Sequence, residues 1–212
     1  MNLTEMRTLV RRDLHDEDAS NYRWTDNEID RHIARAVKEF SEAIPLEQKA
    51  TLATTAGSRE LSVAGLTSRI MIEAVEYPID KFPKNYQRFS LWNDMITLLG
   101  ERIPDGSSCH IYYGKLHTLD GSSSSIPGKY EDLVAGGAAA HAAYEWAVYA
   151  VNKVNTGGSS TPEEFRAWGQ EHINQFRSEL KRLGRKNRVR AKQLYTPYYS
   201  PVSQSADGGL DE

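Results

Sequence analysis

Six histidines, one cysteine, a serine run and a glycine-lysine loop are the features of this 212-residue chain whose residue types carry chemistry elsewhere. The histidines (His15, His32, His110, His117, His141 and His172) are scattered and form no H-E-x-x-H motif. A lone Cys109 makes neither a cysteine-based zinc site nor an intrachain disulfide. His110 and His117 are seven residues apart, an odd spacing that places them on opposite faces of a regular strand and argues against a shared metal. Gly121 to Lys129 resembles a phosphate loop, but Gly121 lies too far from Gly128-Lys129, and Tyr130 stands where a Ser or Thr would coordinate magnesium. Ser122 to Ser125 lack a Gly-x-Ser-x-Gly elbow and read as linker. His141 and His172 are expected to meet across the last two long helices as a structural polar contact. The acidic pairs Glu131-Asp132 and Glu163-Glu164 fall in first helical turns, where the helix dipole accounts for them. The expectation is a chain without a catalytic residue, metal or cofactor; an enzyme with an unrecognised site ranks last.

The charged residues are more informative. Between Lys181 and Lys192 lie seven basic side chains and no acid, so the other 200 residues carry 19 basic and 29 acidic groups. An acidic body with a basic strap is the result. Such a strap serves as a nucleic-acid contact, as a docking segment for an acidic protein surface, or as a solvated helix end, and composition leaves these open. Beyond it, Tyr195, Tyr198 and Tyr199 place three aromatic residues in five positions, which suits anchors for another chain better than a solvated tail. The alternative is that this segment folds back on its own body. Arg185, Lys186, Arg188, Arg190, Lys192, Tyr195, Tyr198 and Tyr199 are the candidate partner-binding residues.

These residues must be positioned by a larger scaffold. Leu3, Met6, Val10 and Leu14 recur at helical spacing after an Asn2/Glu5 capping pair. Trp24-Thr25-Asp26-Asn27-Glu28-Ile29 carries a full capping box with a hydrophobic staple, and the helix it opens runs on Ile29, Ile33, Val37 and Phe40 until Pro45. From about Lys49 to Thr118 the apolar period falls from 3.6 to 2. Six strands are expected at 50–54, 59–63, 70–77, 86–92, 95–99 and 109–115, forming a small antiparallel barrel or sandwich. A long helix is expected from Pro127 to about Val154, with eight Ala or Gly in nine positions at 135–143. Two glycines inside a helix cost about 1 kcal/mol each, which makes sense where another backbone comes close, within the chain or from another subunit. Thr161-Pro162-Glu163-Glu164 opens the last helix, and Gly184 reads as its stop. The expected class is therefore α+β: an antiparallel bundle of about four helices (1–48 and 119–184), an inserted β domain (49–118), and a C-terminal arm (185–212) partly disordered when unbound.

Apolar residues at 39% and a mean hydropathy of -0.60 give a soluble balance without the ~18 to 20 apolar residues in a row that a membrane span needs. Met1-Asn2-Leu3-Thr4-Glu5-Met6 has no secretory pattern, so the chain reads as made in a reducing cytoplasm.

Tyr22-Arg23-Trp24-Thr25-Asp26-Asn27-Glu28-Ile29 with Ala36-Val37-Lys38-Glu39-Phe40, together with the blocks Ile111 to Asp120 and Tyr144-Glu145-Trp146-Ala147, resembles the head-tail connector, or adaptor, proteins of tailed bacteriophages. The likeness runs over most of residues 1 to 184. It implies a virion neck protein: a ring, usually of twelve copies, docked beneath the portal, extending the DNA channel and offering an attachment site to a stopper or tail protein. In such a family the C-terminal arm grips the portal. Double-stranded DNA would pass through the lumen without sequence-specific binding. An acidic body suits that passage, because each neutralised phosphate adds affinity and so resistance to sliding. The basic strap is then expected to turn away from the lumen. The competing expectation is a nucleic-acid-binding module whose strap grips phosphates while its tyrosines stack on bases.

Overall fold

A computed structural model describes residues 1–150 and 162–192, with side chains through residue 188. Four helices, α1 (Leu3–Asp13), α2 (Asp26–Ala43), α3 (Glu131–Ala150) and α4 (Pro162–Lys192), accompany seven antiparallel strands, so the fold is α+β. The described residues divide into two compact units: those of Met1–Pro45 with Leu116–Gly184, and those of Leu46–Lys115 with the end of α4 from Arg185.

Local chemistry starts the helices of the first unit. Asn2 accepts from the Glu5 amide while the Glu5 carboxylate returns to the Asn2 amide, and Thr25 and Glu28 repeat this reciprocal box at α2. Trp24 and Ile29 are both buried in one core with Met6, Val10, Ile33 and Phe40. The small residues of α3 allow the helices around it to close up. Ala135 and Gly137 to Ala143 are buried, and a Cβ at Gly137 would lie 2.8 Å from the Phe176 ring of α4. On α4 itself, a Cβ at Gly169 would lie 2.9 Å from the Tyr144 amide nitrogen. Close packing within the chain thus accounts for the Ala/Gly run, except at Gly136, where a Cβ would meet open space. The start of α4 at Thr161 and the end of α3 beyond Ala150 lie outside the described residues.

Two expectations for this unit are corrected. Gly184 does not stop the last helix, which continues to Lys192. A Cβ there would meet the Ala43 carbonyl at 3.4 Å, an ordinary contact, so the glycine lies inside the helix against the end of α2. His141 and His172 do not pair. His172 stacks on Trp168 with ring centroids 4.1 Å apart and bonds the Trp168 carbonyl one turn earlier, while His141 faces Glu39 of α2.

The second unit holds strands β1 (Leu46–Ala53), β2 (Glu60–Ser62), β3 (Arg69–Glu76), β4 (Tyr86–Gln87), β5 (Phe89–Trp92), β6 (Met95–Leu98) and β7 (Ser108–Lys115). They form a four-stranded sheet, β1-β7-β3-β4, and a three-stranded sheet, β2-β6-β5, instead of one closed barrel. The expected strand at 86–92 is interrupted at Arg88, so that one stretch of chain serves both sheets. Leu61, Ile96 and Leu98 from the small sheet share a core with Val75, Cys109 and Ile111 from the large one. At the β5-β6 turn, Asn93 adopts the left-handed φ of 52° that a tight hairpin requires. Tyr77 orders the loops at the opposite end of the unit: its hydroxyl donates to Asp105 Oδ1 (2.7 Å) and accepts from the Asp105 amide (2.9 Å).

Candidate functional site

The basic residues sit on a helix end. Arg185, Lys186 and Arg188 are exposed on the last turns of α4, following the exposed Lys181 and Arg182. Arg182 is bound by Glu179, three residues earlier, whereas Lys181, Arg185, Lys186 and Arg188 have no ion pair among the described residues. Cations near a helix C-terminus are favoured by the macrodipole, which explains a helix here without requiring a partner. Arg190 and Lys192 continue the same helix by backbone. Tyr195, Tyr198 and Tyr199 lie outside the described residues.

A second surface escaped sequence reading, since its parts converge only in three dimensions. The loop between α1 and α2 and the first turns of α4 enclose a cleft of about 750 Å³ lined by the acidic Asp13, Asp18 and Glu164, by the buried Asp16, by Arg23, and by aromatic walls that include Tyr22 and Trp168. The loop is fixed by Arg11, whose side chain is 6% exposed. Its guanidinium donates to Asp16 (2.6 Å), to Asp26 (2.8 Å) and to the Trp24 carbonyl (3.0 Å), and lies 3.5 Å from the Tyr22 ring centroid. Arg11 thereby holds the Asp26 carboxyl below its usual range. The remaining oxygen of Asp16 accepts the Arg23 amide at 2.7 Å. The Arg23 guanidinium then lies over Trp146 (4.5 Å), Phe165 (5.0 Å) and Trp24 (5.6 Å). Burial, and then the nearby Asp132, push the Asp13 carboxyl upward.

The titratable groups inside the bundle are structural. On antiparallel α2 and α3, His32 faces Glu145 (3.8 Å) and Glu39 faces His141 (3.1 Å), a crossed double pair that Arg31, Arg35 and Arg177 neutralise from outside. Burial lowers the His32 pKa to about 4 and also lowers that of His141, so both rings are neutral near pH 7. The 3.1 Å approach of His141 Nε2 to Glu39 lacks hydrogen-bond geometry, as fits a ring held by packing against Phe176. His117 is likewise consumed by structure. Its Nε2 meets the Ile44 carbonyl at 3.0 Å, and its Nδ1 meets the Ser125 carbonyl at 2.9 Å and the Ser125 hydroxyl at 3.1 Å, while burial lowers its pKa. The serine run is a turn around Asp120, whose Oδ1 accepts the Ser122 and Ser123 amides at 2.8 Å. Among the described residues, no group of three or more His, Cys, Asp or Glu side chains is placed to hold a metal ion. No described helix is long and apolar enough to cross a membrane.

In the β unit the exposed aromatics are Phe82, at 96% exposure, and Trp92, at 86%. Trp92 stands opposite Met95 at the β5-β6 hairpin tip. Strand alternation carried no sign of them, because an outward-facing apolar residue at a tip or in a loop leaves the pattern of the buried face intact.

Among the described residues the two units offer helices with exposed polar faces and surfaces that are charged or aromatic. The SU10 adaptor protein family model matches residues 1–204, and the chain belongs to that family of phage adaptor proteins. The family is structural and not an enzyme family. No curated protein matches the sequence.

Proposed function

We propose that this chain is the subunit of a ring, of twelve copies, that docks beneath the portal, extends the DNA channel, and provides the attachment site for a stopper or tail protein in the virion neck. The match over residues 1–204 carries this reading, and the charge distribution supports it. Residues Arg185 to Tyr199 are the segment that grips neighbouring polypeptides, the portal among them. The acidic remainder lines or surrounds a passage that must not retain phosphates. The chain alone is monomeric or weakly associated and assembles on the portal template.

Electron microscopy of the chain mixed with its portal tests this proposal. A ring seated on the portal only in the mixture is the expected result; a stable ring of the free chain removes the template step, and no portal complex removes the reading. Arg185, Lys186 and Arg188, exposed and without an ion pair among the described residues, favour one rival, a nucleic-acid grip. Duplex DNA binding that falls steeply with salt and is lost on removal of the segment would establish it.

A further inference from the structure

The acidic aromatic cleft and the basic end of α4 are complementary in charge and in chemistry. The chain already shows what such a lining accepts: the guanidinium of Arg23 lies over two of the rings that line the cleft, Trp24 and Phe165, and that of Arg11 lies against a third, Tyr22. Arginine suits this setting because its planar group stacks on aromatic faces while its N–H groups meet carboxylates. Asp13 and Asp132 repel one another at this edge, a repulsion that a further cation would relieve. A volume of about 750 Å³ is ample for several side chains. On the other side, Lys181, Arg185, Lys186 and Arg188 are exposed and have no ion pair among the described residues.

A copy cannot satisfy itself along the helix. Glu164, on the rim of the cleft, and Lys181, where the basic run begins, are 17 residues apart on α4, about 26 Å along its axis. A second copy can provide the complement, and a contact between two different patches of identical chains propagates head to tail, closing into a ring when the rotation between copies closes.

We infer that the cleft of one copy receives the basic helix end of the adjacent copy, with Arg185, Lys186 and Arg188 seated among Asp13, Asp18 and Tyr22. This rests on the ring reading above and deepens it: the helical basic residues make the contact between copies, and Tyr195, Tyr198 and Tyr199 are left for the portal.

The test titrates a synthetic peptide of residues 179–192 into the full chain at low salt, following tryptophan fluorescence from the cleft wall. Saturable binding is expected, weakened at least ten-fold in the chain carrying Asp13→Lys and Asp18→Lys. A peptide carrying Lys186→Glu and Arg188→Glu should not bind the wild-type chain and should regain binding to the charge-reversed one. No saturable binding of the wild-type peptide, or equal binding by both chains, overturns the inference. Microscopy on the portal separates the two readings. Rings from the wild-type and the cleft variant alike sink this contact and leave the ring standing, whereas no wild-type ring sinks the ring itself.

Discussion

Arg11 occupies a position where a single side chain closes a loop. Replacing it with Ala leaves the buried Asp16 without its charged partner, and breaking a buried pair from one side costs about 3–5 kcal/mol. Urea denaturation of Arg11→Ala should show a loss of that size; a loss below about 1 kcal/mol would mean that backbone amides alone hold Asp16. Two adjacent glycines make an opposed pair of predictions. Gly136→Ala meets open space and should stabilise by up to about 1 kcal/mol through helix propensity. Gly137→Ala meets the Phe176 ring at 2.8 Å and should destabilise by about 1–3 kcal/mol despite the same gain. Thermal melts that rank the two substitutions the other way would contradict the packing described. Thr25 and Glu28, or Asn2 and Glu5, were legible from sequence because a capping box is made by residues three apart. Arg11 was not, since its partners Asp16, Trp24 and Asp26 converge only when the loop folds.

Between elements, the crossed His32/Glu145 and Glu39/His141 pairs make the α2-α3 packing sensitive to acid. Both histidines have folded pKa values below the unfolded value near 6.5, so the unfolded chain binds more protons as pH falls. Stability from these groups is fully present above about pH 6.5 and declines as pH falls toward 4. Between pH 7 and 5, His32 alone should account for a loss of about 1–2 kcal/mol, visible as a shallower pH dependence of unfolding in His32→Gln. An unchanged slope in that variant would contradict a buried neutral ring. A truncation after Lys192 keeps α4 whole, and it should leave helicity and melting temperature nearly unchanged while weakening portal attachment. A cut after Gly184 removes eight residues that continue the helix, so it is the poorer test. Gly184 carried a helix-end signal in sequence because glycine is common just past helix ends, but the strong helix formers that follow it, such as Arg185, Lys186 and Arg188, carry the helix on. Strand positions were largely readable from alternation and turn residues. The break at Arg88, where the chain passes from one sheet to the other, depends on which strands pair across the unit and leaves no local mark.

At the scale of the whole molecule, function is a matter of which surfaces meet. The basic run was visible as composition, yet the acidic cleft that complements it combines residues 13–24 with residues 164–168 and has no signature in one dimension. The distribution of charge predicts that assembly between copies weakens with rising salt, as attraction between exposed charges is screened. The most direct measurement is a cryo-electron microscopy reconstruction of the chain bound to its portal. The account predicts a ring beneath the portal whose lumen is faced by acidic and neutral side chains, with Arg185, Lys186 and Arg188 turned toward protein. A reconstruction with those three residues directed at the channel axis, or with no ring on the portal, would contradict it.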